Sequence, residues 1–458
     1  MDSGIKISGP PSNHLSKMKF SNSVYCRTLS VFAALLVVVA QIFATPDGDA
    51  APSRLIVPFF FFPAGWSMTI FLLIVMSVRE RARLIGCLAA CAAIGAVVGV
   101  LSGGSAKEAM RFGVIAAGVA PYLFALARIA ANSGAERGYW IDTFCVSSLI
   151  HISALALPFF RDQTKEWLPR ILDSRIALLD ESFGLQPSSL MAQAFAAVPV
   201  LHTFSLAAYS LVQIPIVLVA AVQWRRKAPG DYSILPGFII ASGIGFTCYW
   251  LAPAMGPRPY FGYAFPFLHV TADYLANHRQ LEINPCFPRN AMPSMHISWA
   301  VLVFLYTRGH SAWTRFNAAL FVFLTGCATL GLGEHYFMDL IVASSLVLLV
   351  RALCAIELTW VSVERLRAIA VGLALLVFWI GAIRFGLPMA PPVVVALAGL
   401  TLGASFWFER ALARAESGLP NELENPPSTP SLDSSTIIQR IIGRDTAARA
   451  RHVVQRRG

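Results

Sequence analysis

The chain has 458 residues, of which 56% are hydrophobic and only 13% are charged, and it carries a net charge of +11. Soluble proteins carry about 25% charged residues, so this composition excludes a chain that is disordered over most of its length and argues against a water-soluble fold. Because apolar residues recur in runs along most of the chain, we predict an all-α polytopic membrane protein, in which each helix satisfies its own backbone in lipid.

The excess of Lys and Arg raises nucleic acid as a possible partner. The sequence has no basic patch interleaved with aromatic residues of the kind that binds single strands. In a membrane protein the same excess fits cytoplasmic loops that face anionic lipid, so we expect a membrane and no nucleic acid as partner. No Cys/His metal spacing occurs in the sequence, and we expect neither a metal nor another cofactor.

In chain order, the polar segment 1–26 comes first, and we expect it to be cytoplasmic. Four transmembrane helices are then predicted within 27–132, and a six-helix core within 140–357. Two more follow within 366–410, and the tail 411–458 is basic and predicted to be partly disordered. The hydropathy criterion thus gives about twelve spans. The apolar runs are 27–44, 56–78, 84–102, 112–131, 140–160, 193–223, 233–254, 293–308, 315–333, 336–356, 366–385 and 391–410.

The loops between these runs alternate in charge. Loops such as 79–83 and 363–367 are rich in Arg and Lys, whereas loops such as 45–54 and 386–392 are poorer in positive charge. The segment 161–185 is an exception with several cations, although acidic residues accompany them. The positive-inside rule therefore places both termini in the cytoplasm of a plasma or inner membrane.

Two connections on the opposite, extracytoplasmic face are long. Residues 161–192 have the pattern of short amphipathic helices at the membrane interface. Residues 255–292 are rich in Pro, Gly and aromatic residues. Because long structured loops on a rigid scaffold often build functional sites, we expect a site at this face.

Three titratable residues at the mouths of spans form a candidate catalytic set. His296 follows Pro and Ser at the start of the eighth span, and His335 opens the tenth. Asp339 is four residues after His335, so on a helix both lie on one surface. The carboxylate can orient the imidazole and raise its basicity, which makes His335 a nucleophile or base. His296, predicted at the same face, can then protonate a leaving group.

The start of the eighth span is also a candidate phosphate site. Pro293 suits the first position of a helix, and Ser294 lies where the backbone N–H groups are unpaired. Helix N-termini bind phosphate through such donors and the helix dipole. Arg258, in the long loop before this span, is a candidate cation for the same phosphate.

The stretches "NAMPSMHISWA" (290–300) and "GLGEHYFMDLIVA" (331–343) resemble the type 2 phosphatidic acid phosphatase superfamily. More narrowly they resemble its inositol phosphorylceramide synthase-like branch, with its Pro-Ser-x-His and His-Tyr-x-x-Asp elements. The resemblance covers about 140–357. It implies a phosphohistidine on His335, oriented by Asp339, with His296 as the acid and Ser294 holding phosphate oxygens. It also implies a lipid phosphate or phospholipid substrate, with water or a lipid alcohol as acceptor.

Two positions depart from the broad superfamily. A lysine of the family stands where this sequence has Leu251, and an arginine stands where it has Thr329. Two cations that would hold a dianionic phosphomonoester are thus missing. A phosphodiester carries less charge and needs fewer clamps, which favours transfer of a phospho-headgroup to a lipid alcohol.

Other functions stay open at this point. A simple lipid phosphate phosphatase uses the same residues. Twelve spans also match the size of common transporters and flippases, although no two-halved repeat and no paired broken helices are evident. A catalytically inactive scaffold on the same fold is a third possibility, and the intact His, His and Asp set argues against it.

Overall fold

The computed structural model describes residues 66–168, 170–226, 234–266, 271, 273–274, 287–355 and 357–418. Within 134–167, the side chains of 150–163 and 165–167 are outside this description. The predicted segments 1–26 and 27–44 and nearly all of the tail 411–458 also lie outside the described residues.

All regular elements in the described ranges are helical, which agrees with the predicted fold class. A short 3₁₀ helix at Gly262–Ala264 accompanies fifteen α-helices. These are α1 Ser67–Val75, α2 Val78–Leu101, α3 Ala106–Ala131, α4 Gly134–Trp167, α5 Asp173–Glu181, α6 Pro187–Ala197, α7 Pro199–Ser210, α8 Gln213–Arg226, α9 Ile234–Leu251, α10 Pro257–Phe261, α11 Met295–Tyr306, α12 Ala312–Gly331, α13 Phe337–Leu353, α14 Val363–Phe385 and α15 Pro391–Glu416.

Five of the described helices are long and apolar enough to cross a membrane, namely α2, α3, α9, α14 and α15. Their number rises to six if the bent pair α6 and α7 counts as one span. These helices fit an integral membrane protein, while the predicted number of twelve spans is not confirmed.

The predicted run 193–223 is a broken element. The chain turns by 119° between α6 and α7, and Pro199 begins α7 directly after the break. Proline has no N–H to donate and its ring clashes with the preceding turn, so α6 cannot continue through this position. The break brings α7 alongside α12 instead of extending it away from α6.

Helix α13 lies at the centre of the bundle. It packs against α9, α11 and α14, and residues on every side of it, such as Val342, Ala343, Leu346 and Val350, are buried. An apolar surface all round is what a fully enclosed helix requires. The first turn of α13 therefore starts inside the protein, next to the long loops predicted to build a site.

The chain divides into two compact units, Met1–Leu412 and Ala413–Gly458. The first unit contains nearly all the described helices. Of the second, the description covers only 413–418, where α15 ends.

Candidate active site

The starts of α11 and α13 meet at one place. The backbone N–H of Ser294 donates to the Asp339 carbonyl at 3.2 Å, which ties the two helix starts together. The rings of His296 and His335 lie 6.5 Å apart between centroids, with an angle of 65° between their planes. The structure therefore brings together His296, His335, Asp339 and Ser294, four of the five candidate residues.

Both helices begin later than the sequence pattern predicts. Helix α11 begins at Met295 with Ser294 as its N-cap, so Pro293 is outside the helix, after a cis peptide bond. Helix α13 begins at Phe337 with Tyr336 as its N-cap, so His335 precedes the helix. Helix α11 thus begins two residues after Pro293 and α13 two residues after His335. The backbone before each helix bonds distant groups instead, since the Ala291 N–H donates to the Ala254 carbonyl and the His335 N–H to the Thr329 carbonyl.

The His335 ring is held in one orientation. Its Nδ1 lies 2.6 Å from the Ala291 carbonyl oxygen and 3.3 Å from Oδ2 of Asp339. A carbonyl oxygen can only accept, so Nδ1 carries the proton and Nε2 carries the lone pair. Burial lowers the pKa of His335 to about 4, against a smaller opposing effect of Glu334. The imidazole is therefore neutral near pH 7.

The backbone of His335 is fixed as well. Its N–H donates to the Thr329 carbonyl at 3.2 Å, and its carbonyl accepts from the Ser188 hydroxyl of α6 at 3.0 Å. Three separate elements thus position one histidine. This fixed orientation is what a nucleophile needs to attack along one line.

Ser294 is fully buried, and its Oγ has no hydrogen-bond partner among the described residues. Its side chain does not cap α11, although it stands at the N-cap position. A buried hydroxyl without a partner costs about 1–3 kcal/mol, and a phosphate oxygen beside the helix start would satisfy it.

Arg258 is exposed, and its backbone approaches the loop that carries His335. Its N–H donates to the Gly333 carbonyl at 2.9 Å. Gly256 makes this approach possible, since its φ is +96° and a Cβ there would lie 2.2 Å from the Glu334 carbonyl oxygen. The loop thus places the Arg258 backbone beside Gly333, two residues before His335, and no described hydrogen bond fixes its guanidinium at the site.

Tyr209 of α7 is a site residue that the sequence did not indicate. Its ring stacks on His296 with 3.7 Å between centroids and 16° between planes. Trp299 contacts the same imidazole edge-on at 5.7 Å. An aromatic residue 87 positions away gives no local signal, and only the bend between α6 and α7 brings it here.

Two buried carboxylates of α5 were also missed, although their segment belonged to the resemblance. Asp180 accepts hydrogen bonds of 2.8 Å from the N–H groups of Phe337 and Met338. Burial raises the pKa of Asp180 to about 7, and these two bonds oppose the shift. Asp180 therefore satisfies the first free donors of α13 and fixes where the helix begins after His335.

Asp173, at the other end of α5, likewise satisfies backbone N–H groups, here those of the loop before Arg258. It accepts from the N–H groups of Met255 and Gly256 and from the Tyr336 hydroxyl at 3.1 Å. Burial raises its pKa to about 6. One short helix thus connects the Arg258 loop with the start of α13.

Arg289 is a buried cation two residues before Ala291, and it is only 2% exposed. Its backbone N–H donates to Thr164 Oγ1 at 2.7 Å, and its guanidinium contacts the Met255 sulfur and the Phe287 carbonyl. Burial lowers its pKa. Its contacts support the loop before α11.

The two positions that lack the family cations are filled differently. Thr329 is buried and its hydroxyl donates to the Thr325 carbonyl at 2.6 Å, while Leu251 at the end of α9 is 49% exposed. Neither adds charge to the site. Within the described ranges, no three His, Cys, Asp or Glu side chains are grouped so that they could hold a metal ion.

Residues 174–354 match the family model described as the PAP2 superfamily. The match supports the type 2 phosphatidic acid phosphatase superfamily for this segment. It contains His296, His335 and Asp339, and it supports a phosphatase-type lipid phosphoesterase. It covers under half of the chain and does not distinguish the inositol phosphorylceramide synthase-like branch. Comparisons with curated proteins and with solved structures gave no match.

Proposed function

We propose that the protein cleaves a lipid phosphoester through a phosphohistidine on His335, at the extracytoplasmic face of the membrane. In the first step, Nε2 of His335 attacks phosphorus, a P–N bond forms and the P–O bond to the leaving alcohol breaks. His296 gives its proton to the departing alkoxide. Ser294 and the N–H groups at the start of α11 hold the non-reacting phosphate oxygens.

In the second step, the oxygen of water or of a lipid alcohol attacks the same phosphorus. The P–N bond breaks and its electron pair returns to Nε2 of His335. His296 takes the proton from the attacking oxygen and is ready for the next cycle. Asp339 and the Ala291 carbonyl keep the proton on Nδ1 throughout, so that Nε2 faces phosphorus before attack, is bonded to it in the intermediate and is released with its electron pair at the end.

The observation that carries this proposal is the orientation of His335. A carbonyl oxygen 2.6 Å from Nδ1 leaves Nε2 as the one unprotonated ring nitrogen, and His296 lies across a gap of 6.5 Å between ring centroids. Two imidazoles in this arrangement suit a nucleophile and an acid on opposite sides of one phosphoryl group.

Transfer of a phospho-headgroup to a lipid alcohol, as in inositol phosphorylceramide synthases, is our preferred form of the reaction. It is supported by the two missing cations at Leu251 and Thr329, since a phosphodiester carries one negative charge fewer than a phosphomonoester. The alternative is a simple lipid phosphate phosphatase, which uses water as acceptor with the same residues.

Trapping the intermediate tests the nucleophile. The purified protein is mixed with a ³²P-labelled lipid phosphate, quenched in alkali and mapped by peptide. We expect acid-labile, alkali-stable phosphate on His335, no label in His335→Ala, and normal labelling in His202→Ala. His202, whose ring lies 5.0 Å from that of Phe195, is the matched control. Turnover without label on His335, or label that persists in His335→Ala, contradicts the mechanism.

The acceptor is tested by turnover of a labelled phospholipid with and without a long-chain lipid alcohol. A new labelled lipid formed only with the alcohol supports the transferase. Release of a water-soluble labelled phosphomonoester at the same rate in both mixtures shows that water is the acceptor and rejects the preferred form.

A further inference from the structure

A groove beside the candidate site is bounded by parts of the chain that are far apart in sequence. One wall is Arg175, Leu178 and Leu179 of α5, and the other is Ile383, Phe385 and Leu387 at the end of α14. We call it the α5–α14 groove. Its cavity volume is about 620 Å³, which lies within the roughly 300–1,000 Å³ of typical ligand pockets.

The groove lies at the same end of the bundle as His335. Asp180 of α5 bonds the start of α13, as described above, whereas Leu178 and Leu179 of the same short helix face the groove. Arg175 fastens α5 to the end of α14 by donating to the carbonyls of Ile383 and Arg384. Helix α5 therefore contacts both the groove and the segment that follows His335.

The groove is apolar and open. Leu178 is 41% exposed, Phe385 is 78% exposed and Leu387 is 49% exposed. Among the described residues that line it, the charged groups are one arginine, Arg175, and one carboxylate, Glu181. Because Arg175 already serves two carbonyls and the two charges have opposite sign, the walls favour a hydrocarbon occupant over an anionic one.

The position of the groove relative to the spans identifies the hydrocarbon. Helices α14 and α15 are both long and apolar enough to cross a membrane, so the turn between them, at 386–390, lies where a span ends. A lipid is a ligand that can place a long apolar chain in a groove at the end of a membrane span and its polar head in the adjacent site. The family match ends at residue 354, so the α14 wall is outside the matched segment.

We propose that the α5–α14 groove binds the hydrocarbon chain of the lipid substrate while its phosphate reacts at His335. This inference rests on the proposed function and assigns a role to α14 and α15. The groove would select for chain length and would contribute to binding more than to the chemical step.

Two tryptophan variants of equal starting exposure test the groove. Leu387 and Leu366 are both 49% exposed and lie near opposite ends of α14. We expect Leu387→Trp to raise KM for dioleoyl phosphatidic acid about tenfold, and to lower kcat/KM for it much more than for p-nitrophenyl phosphate. Leu366→Trp leaves both substrates unchanged. Equal effects of Leu387→Trp on both substrates, or no effect on either, would refute the proposal that the groove binds the hydrocarbon chain.

Crosslinking gives a second readout that does not need turnover. The His335→Ala variant is mixed with phosphatidic acid that carries a diazirine in its acyl chain, irradiated and mapped. We expect crosslinks within 175–182 and 382–391 that Leu387→Trp reduces and Leu366→Trp does not. Crosslinks confined to other segments would refute the proposed binding of the hydrocarbon chain in the groove. If the wild type turns over neither these two phosphomonoesters nor a phosphodiester phospholipid, the proposed function fails instead, whichever way the crosslinks map.

Discussion

The two ends of α13 hold buried charges in different ways. At the end that begins with Phe337, which we call the site end, the carboxylates of Asp180 and Asp339 accept hydrogen bonds from backbone N–H groups. At the end that finishes with Leu353, the far end, Glu409 of α15 pairs with two arginines. Its Oε1 accepts a hydrogen bond of 2.6 Å from Nη1 of Arg308 and lies 3.7 Å from Nε of Arg351.

The two kinds of contact have different consequences: the site end positions the backbone after His335, whereas the far end holds neighbouring helices together. Backbone donors at the site end are fixed in direction, so the carboxylates determine where the chain runs after His335 and leave its ring for chemistry. The far end joins three elements through long flexible side chains, with Arg351 also over the Tyr306 ring at 4.8 Å. We therefore expect changes at the site end to affect catalysis first and changes at the far end to affect stability first.

The largest effect is expected for His335→Ala, the strongest test of the site end. Removal of the proposed nucleophile should lower kcat by roughly 10⁴ or more, while the melting temperature in detergent stays close to that of the wild type. Initial rates on a lipid phosphate, with thermal unfolding of the same samples, measure both. A folded His335→Ala protein with wild-type turnover refutes the assignment.

Asp180→Asn is expected to have the next largest effect, a fall in kcat of about 10–100-fold. The amide can accept from only one of the two N–H groups of α13, so the other loses its partner at a cost of about 1–3 kcal/mol. A kcat within twofold of the wild type would show that the start of α13 does not depend on this carboxylate.

The same variant has a pH signature. Because burial raises the pKa of Asp180 to about 7, above the value of about 4 in unfolded chains, the folded state binds the extra proton between these limits. The stability of the wild type relative to Asp180→Asn should therefore fall as the pH rises from about 4 through about 7. Melting temperatures across this range measure it, and parallel curves contradict the raised pKa.

Glu409→Gln tests the far end. The substitution removes the carboxylate that pairs with Arg308 and Arg351. We expect the free energy of unfolding to fall by about 1–3 kcal/mol, which is less than for a fully buried pair because the Arg308 side chain is 40% exposed. Thermal unfolding should shift down while kcat on the folded protein is retained. A loss of kcat at unchanged melting temperature would reverse the contrast between the two ends.

Tyr209→Leu is expected to have the smallest effect. Loss of the stacked ring removes one of the contacts that orient His296, so kcat should fall about 5–10-fold for lipid substrates, whose leaving alkoxides need a proton. The effect on p-nitrophenyl phosphate, with its good leaving group, should be smaller, and Tyr209→Phe should restore activity. Equal losses on both substrates would indicate a structural role for Tyr209.

The sequence predicted the residues that local spacing can reveal. His335 and Asp339 are four positions apart, and Pro-Ser-x-His precedes an apolar run, so both motifs are visible without a structure. Asp180 is 157 residues before Phe337 and sits in a short polar helix with no motif of its own. Arg289 stands in a loop between prolines and gives no indication that it is buried.

The helix starts and the span count show where local patterns are insufficient. Hydropathy placed 193–223 in one run, since composition does not reveal the sharp bend at Pro199. It placed Pro293 and His335 at helix starts, whereas each lies before its helix. In both cases a hydrogen bond to a distant residue, from the Ser294 N–H to the Asp339 carbonyl and from the Phe337 N–H to the Asp180 carboxylate, decides where the helix begins.

The sequence by itself determined the helical membrane class, and it singled out His296, His335 and Asp339 as the candidate set for the phosphoester chemistry that we propose. These follow from composition and from spacings of a few residues, which the local geometry of a chain preserves. Only the tertiary structure decided the protonated nitrogen of His335, the stacking of Tyr209, the carboxylates under α13 and the α5–α14 groove. Each depends on groups separated by tens to hundreds of residues, whose meeting is set by packing of the whole bundle.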